Sequence, residues 1–316
     1  MAKEISYSAS RNPGPRHRRM SRNAVRETRD FYLCILPWLV GFSVLTLGPM
    51  VVSLYYSLCE YNILQPPTWV GLANYVAIFT DDPLFWTALY NTAYYTLFAV
   101  PLGVAGSLAL ALLLNQRVRG VRVFRTIFYM PSIMPAVASS ILWIWLFNPQ
   151  HGLVNRLLSV VGVKGPLWLA DPVWSKPALI LMGLWGIGGG MVIFLAGLQG
   201  VPRHLYEAAV VDGATPWQQF IHVTLPMLSP TLFFSIVMGI IGSFQVFTQS
   251  YVMTQGGPLN STLFYVLYLY RTAFEFFQMG YASALAWILF VILVSFTFLQ
   301  LRLSRRWVYY EGDFRR

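Results

Sequence analysis

The stretch YEAAVVDGATPWQQFIHVTLP, Tyr206 to Pro226, decides how this chain is read. It is a mildly polar island between two long apolar runs, with one carboxylate, Glu207, beside two alanines and a glycine and proline-guarded turn behind them. Pro202 suits the first turn of a helix and Gly213 the position just past a helix end, so the spacing predicts a short helix over Pro202–Val211. Thr215, Pro216 and Gln218 form a T-x-x-Q capping box with proline at the first helical position, which starts a second short helix through about His222. Pro226 is read as the end of that helix. Ala208 and Ala209 keep one face low, so that a partner surface can approach the backbone, and Glu207 offers a single charge to a cationic group. Asp212 stands where its carboxylate can accept local backbone N–H bonds. An amphipathic helix resting on a membrane would carry a basic polar face, whereas the island holds only Arg203.

The rest of the chain identifies the solvent. Of 316 residues, 56% are hydrophobic and 11% charged, less than half the charged share of an ordinary soluble domain, about 25%. Apolar stretches at 32–58, 91–114, 126–147, 178–198, 228–251 and 282–302 each exceed the roughly 20 residues that an α-helix needs to cross the hydrocarbon core. No charge lies deep inside any of them. The predicted fold class is therefore all-α, a polytopic membrane protein with six transmembrane helices. Thr262 to Phe277 is aromatic-rich but contains Arg271 and Glu275, which marks an interfacial or re-entrant helix instead of a seventh span.

The net charge of +10 is concentrated in particular loops. With both termini cytoplasmic, eighteen of the 22 basic residues fall inside, among them Arg117, Arg119, Arg122, Arg125 and Arg203, and Arg156, Lys164, Lys176 and Arg271 fall outside. That distribution follows the positive-inside rule and argues against nucleic-acid binding, the other reading of a basic arm such as Ser10 to Arg29. The start lacks the form of a cleaved signal peptide, since its first apolar run is too long, and is read as an anchor. The chain then divides into a basic N-terminal tail (1–30), a first span with its external loop (31–86), a five-span unit (87–303) holding the island (200–226), and a C-terminal tail (304–316). Trp168 and Trp174 in the second external loop, and TQGGPLNST (Thr254–Thr262) in the third, suit either an outer docking surface or aromatic belts and ordinary turns.

Several chemistries are excluded. The three lysines are followed by Glu4, Gly165 and Pro177, so no P-loop ending exists. The run Gly186–Gly190 lies inside an apolar span, where it permits close helix packing or a bend. Four scattered histidines have no metal-ligand spacing, and Cys34 and Cys59 stand about 37 Å apart along a helix, beyond any disulfide. No H-E-x-x-H, no G-x-S-x-G and no paired carboxylates occur within a span. No ionisable residue lies at mid-membrane, which weighs against an ion-coupled carrier. In the fifth span Ser235, Gly239, Gly242, Gln245 and Gln249 recur every three to four residues and form one small-and-polar face. Together with Ser243, Phe244, Phe247 and Tyr251 this face could offer hydrogen bonds and stacking surfaces to a neutral sugar, or it could be a helix-packing stripe.

The pattern Glu207-Ala208-Ala209, three residues, Gly213, nine residues, Val223, one residue, Leu225-Pro226 resembles the EAA loop of the membrane subunits of binding-protein-dependent ABC importers. Val223 stands where that pattern favours isoleucine. NTAYYTLFAVPLGVAGSLALALLLNQ (Asn91–Gln116), FRTIFYMPSIMP (Phe124–Pro135), QVFTQSYVMTQGGP (Gln245–Pro258) and FQMGYASALAWILF (Phe277–Phe290) are similar to the carbohydrate-uptake branch, the maltose-type permeases. The resemblance implies the type I importer permease fold, multi-pass in a bacterial or archaeal plasma membrane, and a permease role without enzymatic activity of its own. It implies as partners a second permease subunit, two ATPase subunits carrying ATP and Mg, and an external solute-binding protein delivering a sugar or related polyol. The ATPase-coupling residues would be Glu207, Ala208, Ala209, Asp212, Gly213 and Pro226, with Glu207 facing a basic residue of the ATPase. The fifth span would contribute to the sugar site. A stand-alone secondary transporter or channel is the alternative function.

Overall fold

The computed structural model describes residues 22–116 and 119–309; the predicted basic tail up to residue 21, Arg117, and the C-terminal tail from residue 310 lie outside them. Helix α1 (Arg22–Phe42) runs through a π turn at Ser43–Leu47 into α2 (Gly48–Ser57). A two-residue antiparallel ribbon, β1 (Cys59–Glu60) and β2 (Thr68–Trp69), leads to α3 (Ala73–Thr80) and the long α4 (Pro83–Leu114). Then come α5 (Val121–Ile133), α6 (Ala136–Leu146), α7 (Leu153–Val160), α8 (Ser175–Trp185) and α9 (Gly188–Gly200). The island holds α10 (Arg203–Val211), α11 (Pro216–Gln219) and α12 (Leu225–Met227), and α13 (Ser229–Phe244), α14 (Thr248–Met253), α15 (Tyr265–Tyr270) and α16 (Met279–Ser304) complete the chain. Helices dominate because a backbone in lipid must satisfy its own N–H and C=O groups.

Four helical stretches are long and apolar enough to cross a membrane: Arg29–Ser57, Pro83–Leu114, Ser229–Met253 and Met279–Ser304. The predicted third and fourth spans are bent pairs, α5 with α6 at 99° and α8 with α9 at 47°, and they bring the total to six if each pair crosses once. Each bend has a residue-level cause. Met134 precedes Pro135 and is extended at ψ 136°, as a residue before proline prefers. In the fourth span the break falls at Gly186–Ile187, and the Ile187 carbonyl accepts the Ser107 hydroxyl at 2.9 Å. The second span starts at Pro83, eight residues before its predicted start, because Asp82 caps it and Pro83 occupies its first turn.

The chain divides at Ser53 into two compact units. The first carries exposed apolar side chains along its helix, Trp38 and Leu45 among them. The second begins at Leu54, well before the predicted boundary at 86, because the connection from 54 to 82 is tied into the bundle. Gly280 N–H donates to the Tyr61 carbonyl at 3.0 Å, Asn74 Nδ2 bridges the carbonyls of Ser57 and Cys59 at 2.9 Å each, and Ile78 packs into an apolar cluster with Phe85, Tyr265 and Leu285. Helix α4 is the hub and touches α8, α9, α13 and α15. The segment Thr262–Phe277, predicted to be interfacial or re-entrant, forms α15 and a π turn at Arg271–Glu275. Tyr265 and Leu267 on it are fully buried, so α15 is packed against the bundle.

Asp82 joins three elements. Its Oδ1 accepts the N–H groups of Leu84 and Phe85 at 2.9 and 3.1 Å, and its Oδ2 accepts the hydroxyls of Tyr268 and Tyr281. Burial, followed by the bond to Asp82, pushes the Tyr268 phenol above its ordinary value. Asp82→Ala would remove an N-cap and leave two phenols without their acceptor, an expected cost of about 2 kcal/mol or more. A drop of several degrees in the melting temperature of the solubilised protein would show it, with Asp82→Asn falling less; an unchanged melting temperature would remove Asp82 as a tie.

Candidate functional site

Two places hold the sequence-predicted residues: the island and a cavity reached from it along the fifth span. In the island Pro202 is the N-cap, and α10 begins one residue later than predicted, at Arg203. Gly213 adopts φ +77°, a left-handed conformation that favours glycine after a helix end. The capping box is present in both directions: Gln218 N–H donates to Thr215 Oγ1 at 3.4 Å, and Thr215 N–H donates to Gln218 Oε1 at 2.8 Å. The hydroxyls of Tyr206 and Thr224 bond at 2.9 Å and hold α10 against the following turn.

Two expectations for the island are corrected. Pro226 does not end the second helix. The chain passes from α11 through a π turn at Phe220–Thr224 into α12 and reaches α13 at Ser229. Proline is tolerated there because Pro226 stands in the first turn of the α-helical piece that follows the wide turn, where its missing N–H is not needed. The Asp212 carboxylate accepts no backbone bond among the described residues. Asp212 instead caps α10 through its backbone N–H to the carbonyls of Ala208 and Val210.

Glu207 and Ala208 are exposed and Ala209 is half-buried; Val210, Val211 and Trp217 also present apolar surface. The Glu207 carboxylate pairs with no cation among the described residues. A hollow of about 330 Å³ between the two short helices is lined by Ala209, Asp212, Gly213, Gln218, His222 and Val223 among others. The island thus offers a low relief with two carboxylates, Glu207 and Asp212, that pair with no cation among the described residues.

The cavity, about 480 Å³, lies between α4, the bent fourth span and α13. Gly239, Gly242, Ser243, Gln245 and Gln249 line it, as does Ser235. Helix α13 stops at Phe244 and resumes at Thr248, and Gln245 is exposed in that break with no hydrogen bond to its amide among the described residues. Gly239 lets α4 come close, since a Cβ there would stand 3.1 Å from Val100 Cγ1. Ser243 is committed to packing, its hydroxyl donating to Thr96 Oγ1 at 2.9 Å. Phe244 and Tyr251 do not join the others. Phe244 is buried against Phe296, at a second, apolar hollow on the far side of the α4–α13 contact, and Tyr251 stacks on Phe247 and meets Tyr270.

Further parts of the wall, mostly apolar, include Tyr95, Ser107, Gly183 and Gly190, which sequence reasoning missed. Their periodicities lie on other helices, and only the packing of α4 on α8 and α9 brings them to the stripe. Tyr95, Ala136, Gly183 and Gln249 also line an adjoining chamber of about 230 Å³ that reaches the third-span bend. No Asp, Glu, Lys or Arg lines either chamber. The walls supply hydroxyl, amide and apolar contacts, the donor and acceptor set that suits a neutral polyhydroxylated molecule. Among the described residues no group of His, Cys, Asp or Glu could hold a metal.

Comparison with known proteins places this geometry. Residues 99–309 match the family described as binding-protein-dependent transport system inner membrane component. The chain is 41% identical over 296 residues to a probable ABC transporter permease of Bacillus subtilis (strain 168), covering 92% of this chain and 96% of that protein. It is 35% identical to the lactose transport system permease of Rhizobium radiobacter, covering 90% and 98%. The fold matches a chain of a bacterial ABC transporter involved in the import of the acidic polysaccharide alginate, with a TM-score of 0.79, 25% identity, and coverage of 90% and 98%.

Proposed function

The chain belongs to the inner membrane components of binding-protein-dependent transport systems, and from that premise we propose that it forms half of the translocation pathway of an ATP-driven importer for a sugar or related polyol. It is a multi-pass membrane transport subunit, not an enzyme. The cavity of about 480 Å³, uncharged, with hydroxyl and amide groups set among mostly apolar walls beside Gln245 and Gln249, carries the reading. A second permease subunit would close the open side of that cavity, and an external binding protein would deliver the solute at the end remote from the island. Two ATPase subunits, holding ATP and Mg, would grip the cytoplasmic islands.

The work passes along one piece of backbone. From Pro216 the chain stays helical, or nearly so, through the π turn to Phe244, so a displacement of the island is carried into the wall formed by Gly239, Gly242 and Gln245. ATP and the loaded binding protein favour the outward-facing state through their differential affinity for it, and hydrolysis resets the cycle.

Reconstitution with and without the ATPase pair tests the assignment: uptake is expected only with both ATPase and ATP present. Full-rate uptake without them would sink it. Gln245→Leu is expected to raise the apparent KM for the solute about tenfold by removing one or two hydrogen bonds, and normal uptake kinetics in that variant would return the fifth span to packing alone.

A further inference from the structure

At the end of the bundle remote from the island, Lys176 is a half-buried cation with no carboxylate partner among the described residues, whereas Arg156 and Lys164, which also lack one, are exposed. Lys176, half-buried at the start of α8, donates from Nζ to Asn91 Oδ1 at 3.0 Å and lies 5.2 and 5.1 Å from the ring centroids of Tyr90 and Tyr94. Asn91 is 2% exposed, and its own amide donates to the carbonyls of Asn260 and Leu263 at 2.7 and 3.1 Å, so it is locked in place. An ammonium has three N–H donors, and Asn91 takes one. Arg26, Arg29 and Arg271 each pair with a carboxylate, but among the described residues none pairs with Lys176.

A lysine near a helix end ordinarily extends its stem so that the charge reaches water or lipid headgroups. Lys176 instead folds over two aromatic faces and a buried amide. A charge partly withdrawn from water without an ionic partner is costly, and cation–π contact offsets only part of that cost. The arrangement is one that an incoming anion completes. Its position gives the anion a source. Ile180 lies one helical turn along α8 from Lys176, and Tyr95 one turn along α4 from Asn91; both line the cavity of about 480 Å³. Lys176 and Asn91 therefore lie one helical turn beyond residues of that wall, on the side away from the island.

We propose that Lys176 receives the acidic group of the cargo, so that this permease carries an acidic sugar whose neutral rings occupy the cavity while its carboxylate or sulfonate bonds the free N–H groups of Lys176. The proposal rests on the cavity being the solute path. The test uses the whole importer, both permease subunits with the ATPase pair, in phosphatidylcholine nanodiscs, and saturation-transfer NMR with two probes, digalacturonate and its neutral counterpart galactobiose. The wild type is expected to bind the acid about tenfold more tightly, the gain from one charge-assisted hydrogen bond. That ratio should fall to about one in Lys176→Gln and persist in Lys176→Arg. A ratio near one in the wild type, or a ratio unchanged in Lys176→Gln, overturns the proposal. So does a ratio that vanishes when phosphatidylglycerol replaces phosphatidylcholine, because the anion is then a lipid phosphate. Gln245→Leu separates the two readings: weaker binding of both probes supports the seat in the cavity, and unaltered binding of both overturns that seat whatever Lys176 does.

Discussion

Replacing Glu207 with lysine is expected to lower ATP-driven uptake at least a hundredfold while the protein inserts and melts normally. Glu207 is exposed and its carboxylate pairs with no cation of this chain among the described residues, so the fold loses little, within about 0.5 kcal/mol for a surface position of this kind. The cost falls on docking. A glutamate facing a cation across an interface contributes attraction, and a lysine there both removes it and places like charges together, a penalty of several kcal/mol. Co-purification of the ATPase, ATP hydrolysis and uptake measured on one preparation distinguish the outcomes. Loss of the ATPase from the complex, or hydrolysis that continues without uptake, supports the island as the lever. Wild-type uptake in Glu207→Lys would end that account, since no other island residue carries a free negative charge except Asp212.

A comparable loss is expected for a different reason at Gly188. A Cβ at that position would lie 2.0 Å from the Phe128 carbonyl oxygen and 2.9 Å from Tyr129 Cα, all backbone atoms of α5. Backbone cannot rotate out of the way as a side chain can, so α5 and α9 must separate, and overpacking on this scale costs about 3 kcal/mol or more. Gly188→Ala should therefore lower the melting temperature by many degrees and reduce the yield of assembled complex. Gly200→Ala, where a Cβ meets nothing within 4 Å, is the control and should change neither. Equal melting of the two variants would mean that the bent third and fourth spans are not in the close contact described.

How much of this was legible depended on whether the signal was local. The capping box at Thr215–Gln218 and the left-handed Gly213 were readable because caps and helix ends are settled within four or five residues. The six apolar stretches were readable because lipid demands length and hydropathy alone. The 99° bend was not: Pro131 and Pro135 are present in the sequence, but a proline inside a span can be absorbed as a kink or can turn the chain, and neighbouring helices decide which. Pro226 was misjudged for a related reason, since the π turn just before it has no sequence signature. In the fifth span the period grouped Gly239, Gly242, Gln245 and Gln249 correctly on one face, whereas Phe244 and Tyr251 were added on chemistry, and the packing of Phe296 and Phe247 places them elsewhere. Tyr95 and Gly183 had no local mark at all.

The π turn at Phe220–Thr224 has a mechanical meaning. One extra residue in a turn re-phases everything beyond it by about 100° about the helix axis. If the island receives the ATPase and the fifth span lines the solute path, as proposed, the two faces are set independently, like two cams keyed at different angles. A twist applied at one end would arrive at the other as a change in which side chains look into the channel.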